Sequence, residues 1–310
     1  MTDAAHCLIC DSTNTAYFLA ARDHVTGSLF ALQRCAACGF VFTWPQPSDL
    51  NSYYPAYYRR YHPLLLRFLK LMQEWKTLGP IHRLGPPGRA LEIGCGEGWM
   101  LAALQRHGWR VLGLERTAAS ARFAAQELHV PMLVGDTTAL GERAQFDLIL
   151  LHEVLEHLPH PLQTLDECAR LLRPGGRLVV EVPNLDSWQF RYARQHWVHL
   201  DVPRHLGHFT PASLRYALVR AGFKVESYHY ISFEYDPFGW VQTALNQLGF
   251  PQNLLLRWLA GNERKTLLTC RGMLMAILTL LLTPPALALS IVSWLAHRGA
   301  IMEVRAIRCG

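Results

Sequence analysis

Lysine is scarce in this chain. Only Lys70, Lys76, Lys224 and Lys265 are present among 310 residues, so the net charge of +6 rests on arginine. A mild basic excess of this kind fits a nucleic acid, an anionic membrane surface or no special partner. A secretory leader is not expected either. The chain opens "MTDAAHCLIC", with an acid at Asp3 and no apolar run of the needed length. Without export, the eight cysteines are not expected to form a disulfide framework. Charge is missing altogether from Met273 to Ala296, in a chain that otherwise reads as soluble. What is plentiful is apolar residues, half of the total, enough for a sizeable core in one large or two smaller domains.

Four of the cysteines stand as CxxC pairs, Cys7 with Cys10 and Cys35 with Cys38, about 25 residues apart. Two such knuckles can close four thiolates around one zinc ion. With all four positions filled by protein, the metal is expected to be structural. A redox CxxC would need only one pair beside a βαβ unit. The Pro- and Tyr-rich stretch Trp44 to Pro63 reads as an extended connector, and "LLLRFLKLMQEWKTL" (64–78) has helical spacing.

From Gly88 onward, short apolar strands alternate with helices. "RALEI" leads into the glycine turn Gly94, Gly96, Gly98, and "WRVLGLE", "VPMLVGD", the stretch from Phe146 to Leu151, and "GRLVVEVP" follow with helices between them. That alternation predicts a parallel sheet covered on both faces. Ligands bind at the carboxyl ends of such strands, where the glycines let backbone approach closely. The turn is not a dinucleotide fingerprint, because Trp99 stands where G-x-G-x-x-G needs its last glycine. Glu115, at the end of the second of these strands, is placed to accept from two ribose hydroxyls.

"LEIGCGEG" resembles the first motif of the class I S-adenosylmethionine-dependent methyltransferases, E/D-x-G-x-G-x-G. "GLE" at 113–115 resembles their ribose-binding acid, and "GDTTAL" at 135–140 the segment beside adenine. "FDLILLHEVLEHLPHP", "LLRPGGRLVVEVPN" and "DVPRHLGHFTPASLRYALVRAGFKV" resemble later segments of the same enzymes, the last found in a subgroup with an N-terminal zinc module and a hydrophobic C-terminal insertion. The resemblance covers roughly residues 88–230 and the chain's end. It implies a doubly wound, Rossmann-like seven-stranded sheet. Its last strand would be inserted between the fifth and sixth. It implies S-adenosyl-L-methionine as cofactor, held by Glu92, Gly94, Cys95, Gly96, Gly98, Glu115, Asp136, Thr137 and His152, with Cys95 a small filler in the loop.

A sulfonium is an activated methyl donor, so positioning supplies most of the catalysis. A base is needed only for a protonated acceptor such as a hydroxyl. The candidates are His157, His205 and His152. "HEVLEH" is not a metalloprotease signature, since Glu156 stands where HExxH needs histidine.

The uncharged stretch is split by Pro284–Pro285 into halves of about 11 residues, roughly 16 Å each as helix, against a bilayer core of ~30 Å. Proline breaks helices, so a hairpin dipping into one leaflet is expected, with Arg271 and Arg298 at its two ends. A lid over the active site or a dimer interface would also use such a stretch. The expected divisions are a zinc module at 1–43, a linker and helix at 44–80, the methyltransferase domain at 81–234, the helical insertion at 235–298, and the last strand at 299–310. The expected activity is methyl transfer to an apolar or lipid-linked acceptor (glycan, polyprenyl or quinone-like) by a cytoplasmic enzyme, monotopic on the inner face of the cell membrane. A nucleic acid is not an expected partner. An RNA methyltransferase with a zinc module is the alternative, and a non-catalytic cofactor-binding scaffold a further one.

Overall fold

The computed structural model describes residues 5–53, 67, 71–72, 74–75, 79, 86–141, 146–261 and 264–309. Most of the helix expected over 64–78 and the connector from 54 on lie outside these.

Along the chain the elements are β1 (Thr15–Arg22), β2 (Leu29–Cys35), β3 (Val41–Thr43), β4 (Arg89–Ile93), α1 (Trp99–Arg106), β5 (Arg110–Glu115), α2 (Ala118–Glu127), β6 (Met132–Val134), β7 (Phe146–His152) and α3 (Pro161–Leu171). There follow β8 (Leu172–Pro183), α4 (Trp188–Ala193), β9 (Gly207–His208), α5 (Pro211–Arg220), β10 (Phe223–His229), α6 (Asp236–Gln247), α7 (Leu254–Leu259), α8 (Cys270–Leu295) and β11 (Ile301–Arg308). They fall into two compact units. The first holds 1–67, 183–213 and 230–302; the second holds 68–182, 214–229 and 303–310.

The second unit carries the seven-stranded sheet, in the order β10-β11-β8-β7-β4-β5-β6. The Rossmann-like architecture expected from sequence is therefore present, with the last strand between the fifth and sixth of the series. β4, β5, β6, β7 and β8 pair in parallel, whereas β11 runs antiparallel to β10. Ile149, Leu150 and Leu151 are all fully buried, as a strand covered on both faces requires. The core under α1 gathers Leu101, Leu104, Trp109, Val111, Leu148 and Val179. Pro161 opens α3, where its missing N–H costs nothing.

In the first unit, β1-β2-β3 form an antiparallel sheet whose fourth strand is β9. The cysteine module thus does not close on itself; it borrows a strand from the "RHLGHFT" segment. Leu19, Leu32, Val41, Phe190, Trp197 and Val202 make its core. Below that core Arg204, nearly fully buried, is bonded to Asp23 at 2.8 Å, to both oxygens of Asp201 at 2.7 and 3.0 Å, and to the Tyr53 carbonyl at 2.5 Å. A buried guanidinium with this many charged and backbone acceptors is compensated for its lost hydration.

The insertion differs from the hairpin expected. α8 is one continuous helix of 26 residues with Pro284 and Pro285 inside it. The propensity argument is overridden by packing. Met275, Leu278 and Leu282 before the prolines and Ala286 after them share one cluster with Trp240, Val241 and Leu245 of α6 and Leu254 and Leu255 of α7. One packed face on both sides of the break holds the two halves in line. The local hydroxyls also serve the backbone, with Thr283 Oγ1 donating to the Thr279 carbonyl at 2.7 Å and Thr279 Oγ1 to that of Met275 at 2.8 Å.

Asp236 pins this insertion. Its carboxylate is fully buried. It accepts from Trp294 Nε1 at 2.8 Å, from the Ala300 amide at 2.7 Å and from Gln189 Nε2 at 3.2 Å. One side chain thereby ties the start of α6 to the end of α8 and to the residue before β11. Replacing Asp236 by alanine strands these donors, and equilibrium urea unfolding is expected to show a loss of about 3 kcal/mol; a variant as stable as the parent protein contradicts the pin.

Candidate active site

The site begins where β4 ends. Gly94, Gly96 and Gly98 all have positive φ, at 68°, 53° and 73°, a region costly for residues with a Cβ. At Gly94 a Cβ would also lie 2.6 Å from Val154, and at Gly98 3.0 Å from Ala124. The turn is closed by a side chain from the neighbouring strand. Glu115 Oε2 accepts from the Gly96 amide at 2.9 Å, and its Oε1 from the Thr117 amide at 2.8 Å. Each oxygen keeps a second lone pair, so the carboxylate can fix the loop and still accept from a vicinal diol. Gly113, two residues earlier, was not singled out from sequence. A Cβ there would fall 2.4 Å from Met132 Sδ and 2.7 Å from Cys95 Sγ, so the glycine makes room for the floor of the turn. Burial, with the charges of Glu92 and Glu115, pushes the Cys95 thiol well above its ordinary range, which suits an inert filler.

Glu92 lies inside the sheet beside His152, with Oε1 2.9 Å from His152 Nδ1. Burial works against a charge on His152. The hydrogen bond with Glu92 and the charges of Glu92, Glu181 and Glu303 outweigh it and raise the imidazole's pKa. Glu181 is the partner of His152 across β7 and β8, and Glu303 stands near the start of β11. No local motif marked Glu181 and Glu303, because strands far apart in sequence bring them to this ring.

Asp136 is exposed and caps the short turn that contains Thr137. It accepts from the Thr138 amide at 3.0 Å and from the Thr138 hydroxyl, bonds that lower its pKa. His157, about a third exposed, has Nε2 4.0 Å from Glu156 Oε1. His205 belongs to the first unit, where its Nδ1 lies 2.9 Å from the His199 carbonyl. Its neighbour His208 is pushed down to about 3 by burial, so it stays neutral.

In the first unit the cysteine sulfurs converge. Cys7 and Cys38 approach at 3.5 Å, as do Cys10 and Cys35, and all four sulfurs lie within 4.8 Å of one another. A tetrahedral zinc–thiolate site has sulfurs about 3.8 Å apart. The four residues are compatible with such an ion.

A family model described as a methyltransferase domain matches residues 58–228 of the chain, more than half of its length. The chain belongs to the class I S-adenosylmethionine-dependent methyltransferases. The ubiquinone biosynthesis O-methyltransferase of Coxiella burnetii is 30% identical to this methyltransferase over 151 residues, covering 41% of this chain and 64% of the relative. That of Nitrobacter winogradskyi is 30% identical over 152 residues, covering 38% and 58%. The chain therefore spans less than two thirds of these relatives. Among solved structures, a candidate sarcosine dimethylglycine methyltransferase of Galdieria sulphuraria superposes with a TM-score of 0.51 at 15% identity, covering 81% of this chain and 90% of that one. At that identity the likeness speaks for the fold.

The methyltransferase's residues fit the donor. The glycine cradle, the two spare lone pairs of Glu115, and buried atoms at Glu92 and His152 that lack a partner among the described residues are what a bound adenosyl-amino acid would complete. Glu115→Ala removes the acceptor for two loop amides and the diol. Calorimetry with S-adenosylhomocysteine is expected to show affinity at least ~10-fold weaker; unchanged affinity removes Glu115 from the site.

Proposed function

We propose that this methyltransferase moves a methyl group from S-adenosylmethionine to a hydroxyl of a quinone-like, lipid-linked acceptor at a membrane surface. The outer face of α8 carries the reading, together with the relatives' named role in ubiquinone biosynthesis. Met273, Ile277, Leu280, Leu287, Ile291 and Leu295 recur at helical spacing and are all exposed, Leu280 at 74% and Leu295 at 78%. Gly272, Met275, Ala286, Ser290 and Ser293 form the buried stripe opposite.

A helix of this length and apolarity could cross a bilayer by composition alone. Its tethers speak for another arrangement. The N-terminal part packs on the turn before it, where a Cβ at Gly272 would meet the Thr266 carbonyl. The C-terminal end is held by Asp236 and by the ion pair of Arg298 with Asp186. Both ends stay with the same protein unit, so the helix lies along the membrane with its outer stripe in the acyl boundary. Each large aliphatic side chain taken from water contributes roughly 1.5–3 kcal/mol. Arg298 is occupied by Asp186, which leaves exposed Arg271 as the basic group for an anionic leaflet. The hydroxyls on the helix suit lipid too. Those of Thr279, Thr283, Ser290 and Ser293 donate to carbonyls of their own helix, leaving no donor to be satisfied by water.

The donor, when bound, supplies an activated methyl on sulfur. The chain's own work is then to hold and to deprotonate. The Gly94–Gly98 backbone and Glu115 fix the nucleoside end, with Asp136 and Thr137 beside the base. His157, the more accessible of the candidate histidines, takes the proton from the acceptor hydroxyl as general base. His152, buried and bonded to Glu92 at 2.9 Å, is less suited to that step because its ring is already engaged. The four cysteines hold a structural zinc ion that stabilises the module around β1–β3. The cytoplasmic side of the cell membrane, where S-adenosylmethionine is made, is the site of action.

The test supplies methyl-labelled S-adenosylmethionine with a total membrane lipid extract and, separately, with total RNA. Label is expected in the organic phase, and His157→Ala is expected to reduce it ~100-fold or more while binding S-adenosylhomocysteine normally. Label confined to RNA supports the rival assignment and contradicts the lipid-linked acceptor.

A further inference from the structure

One phenylalanine in the first unit holds two arginines. Arg34 Cζ lies 4.2 Å from the centre of the Phe18 ring and Arg194 Cζ lies 5.5 Å from it. Arg194 also stands 5.3 Å from the centre of Phe190, which is stacked on Phe18 with ring centres 6.0 Å apart. Both arginines are exposed. Among the described residues neither guanidinium has a hydrogen bond or an ion pair.

Two local departures from regular structure build this arrangement. Tyr17 pairs with Gln33 and Leu19 with Leu32, so Phe18 is the extra residue of a bulge in β1. A bulge re-aims a side chain, and Phe18 packs at the margin of the core that Leu32 and Phe190 share. Arg34 stands two residues beyond Leu32 and so on the same face of β2, opposite to that of Cys35. Arg194 follows α4 with φ 51° and ψ −117°. That is the first central position of a type II′ turn, where glycine is the expected residue. An arginine strains the backbone there. An exposed cation–ring contact is a weak interaction and does not by itself account for an arginine at such a position.

The two charges are not neutralised by the acids nearest in sequence. Asp23 and Asp201 are engaged by Arg204, and Asp186 by Arg191 and Arg298. What remains is a pair of unpaired guanidiniums, held on one ring and open to solvent.

We propose that Arg34 and Arg194 form a receptor for a phosphoryl group, as a phosphate monoester or a diphosphate. A planar guanidinium presents paired donors that match two phosphate oxygens, and a dianion matches two unpaired cations. The Phe18 ring holds both side chains beforehand, so less freedom is lost on binding. The exposure of both arginines suits a phosphoryl group carried on a larger molecule, either a soluble phosphate ester or a lipid headgroup. The receptor belongs to the first unit, whereas the glycine turn belongs to the second, and it is independent of the methyl donor.

The test is calorimetry of sodium pyrophosphate with the full-length protein at constant ionic strength. One saturable site is expected, weakened ~10-fold or more in Arg34→Gln and in Arg194→Gly. The glycine variant has a second readout. Relief of the backbone is expected to leave the melting temperature unchanged or raised while binding is lost. A lowered melting temperature with binding intact marks a purely structural arginine and overturns the receptor. Arg34→Gln, at an unstrained strand position, reads the binding if Arg194→Gly does not fold. Absence of a saturable site, or affinity unchanged in Arg34→Gln, also overturns it. Flotation at limiting lipid, with phosphatidylcholine vesicles that contain or lack phosphatidic acid, then separates the two sources. A preference for phosphatidic acid that Arg34→Gln abolishes assigns the receptor to a lipid headgroup. Pyrophosphate binding without that preference assigns it to a soluble phosphate ester. Single-stranded RNA bound through both arginines by a protein that does not bind pyrophosphate overturns the proposal in favour of a nucleic-acid surface.

Discussion

The last strand must return to its sheet. β11 lies between β8 and β10, paired antiparallel with β10 from Phe223 opposite Arg308 to His229 opposite Glu303. Everything between residues 230 and 300 is therefore an excursion that leaves the sheet and comes back. The proposed arrangement has the helix lie along a bilayer and not cross it, because its far end leads into an inner strand of the sheet. Asp236 makes the return explicit by gathering α6, the end of α8 and Ala300 on one carboxylate. On the proposed function, an apolar helix long enough to span is held flat in this way and offers its exposed stripe to lipid.

The same sheet explains the division of labour among the ionisable groups. Glu115 faces the glycine turn and spends its oxygens on backbone amides, so the loop is preorganised before any ligand binds. Glu92 and His152 spend one atom each on one another, at 2.9 Å. Burial opposes a charge on His152, and the bond to Glu92 with the charges of Glu92, Glu181 and Glu303 raises the imidazole's pKa against it. His157, beside Glu156 and partly exposed, is the group on which the proposed role of base rests.

Much of this was legible in the sequence, and the parts that were not share a cause. Strand–helix alternation, the glycine turn and the two CxxC pairs are local patterns, and each appears where its spacing placed it. The strand that completes the cysteine module's sheet is only Gly207–His208, too short to carry a period. The buried Arg204 cluster joins residues 23, 53, 201 and 204, and no local rule links them. Pro284–Pro285 misled because helix breaking is a propensity of about 3 kcal/mol per proline, while the packed inner face of α8 contributes on both sides of the break. Glu181 and Glu303 read as ordinary strand residues until the strand order sets them around His152.

Vesicle flotation tests the proposed lipid-facing role of α8 most directly. The full-length protein is mixed with vesicles of phosphatidylethanolamine and phosphatidylglycerol and floated in high salt. The account predicts that it rises with the vesicles, and that a Leu280→Asp, Leu281→Asp double variant, altered at two exposed positions of α8, stays at the bottom while still binding S-adenosylhomocysteine. A protein that remains unbound and monomeric without detergent, or a double variant that floats as well as the parent, contradicts it.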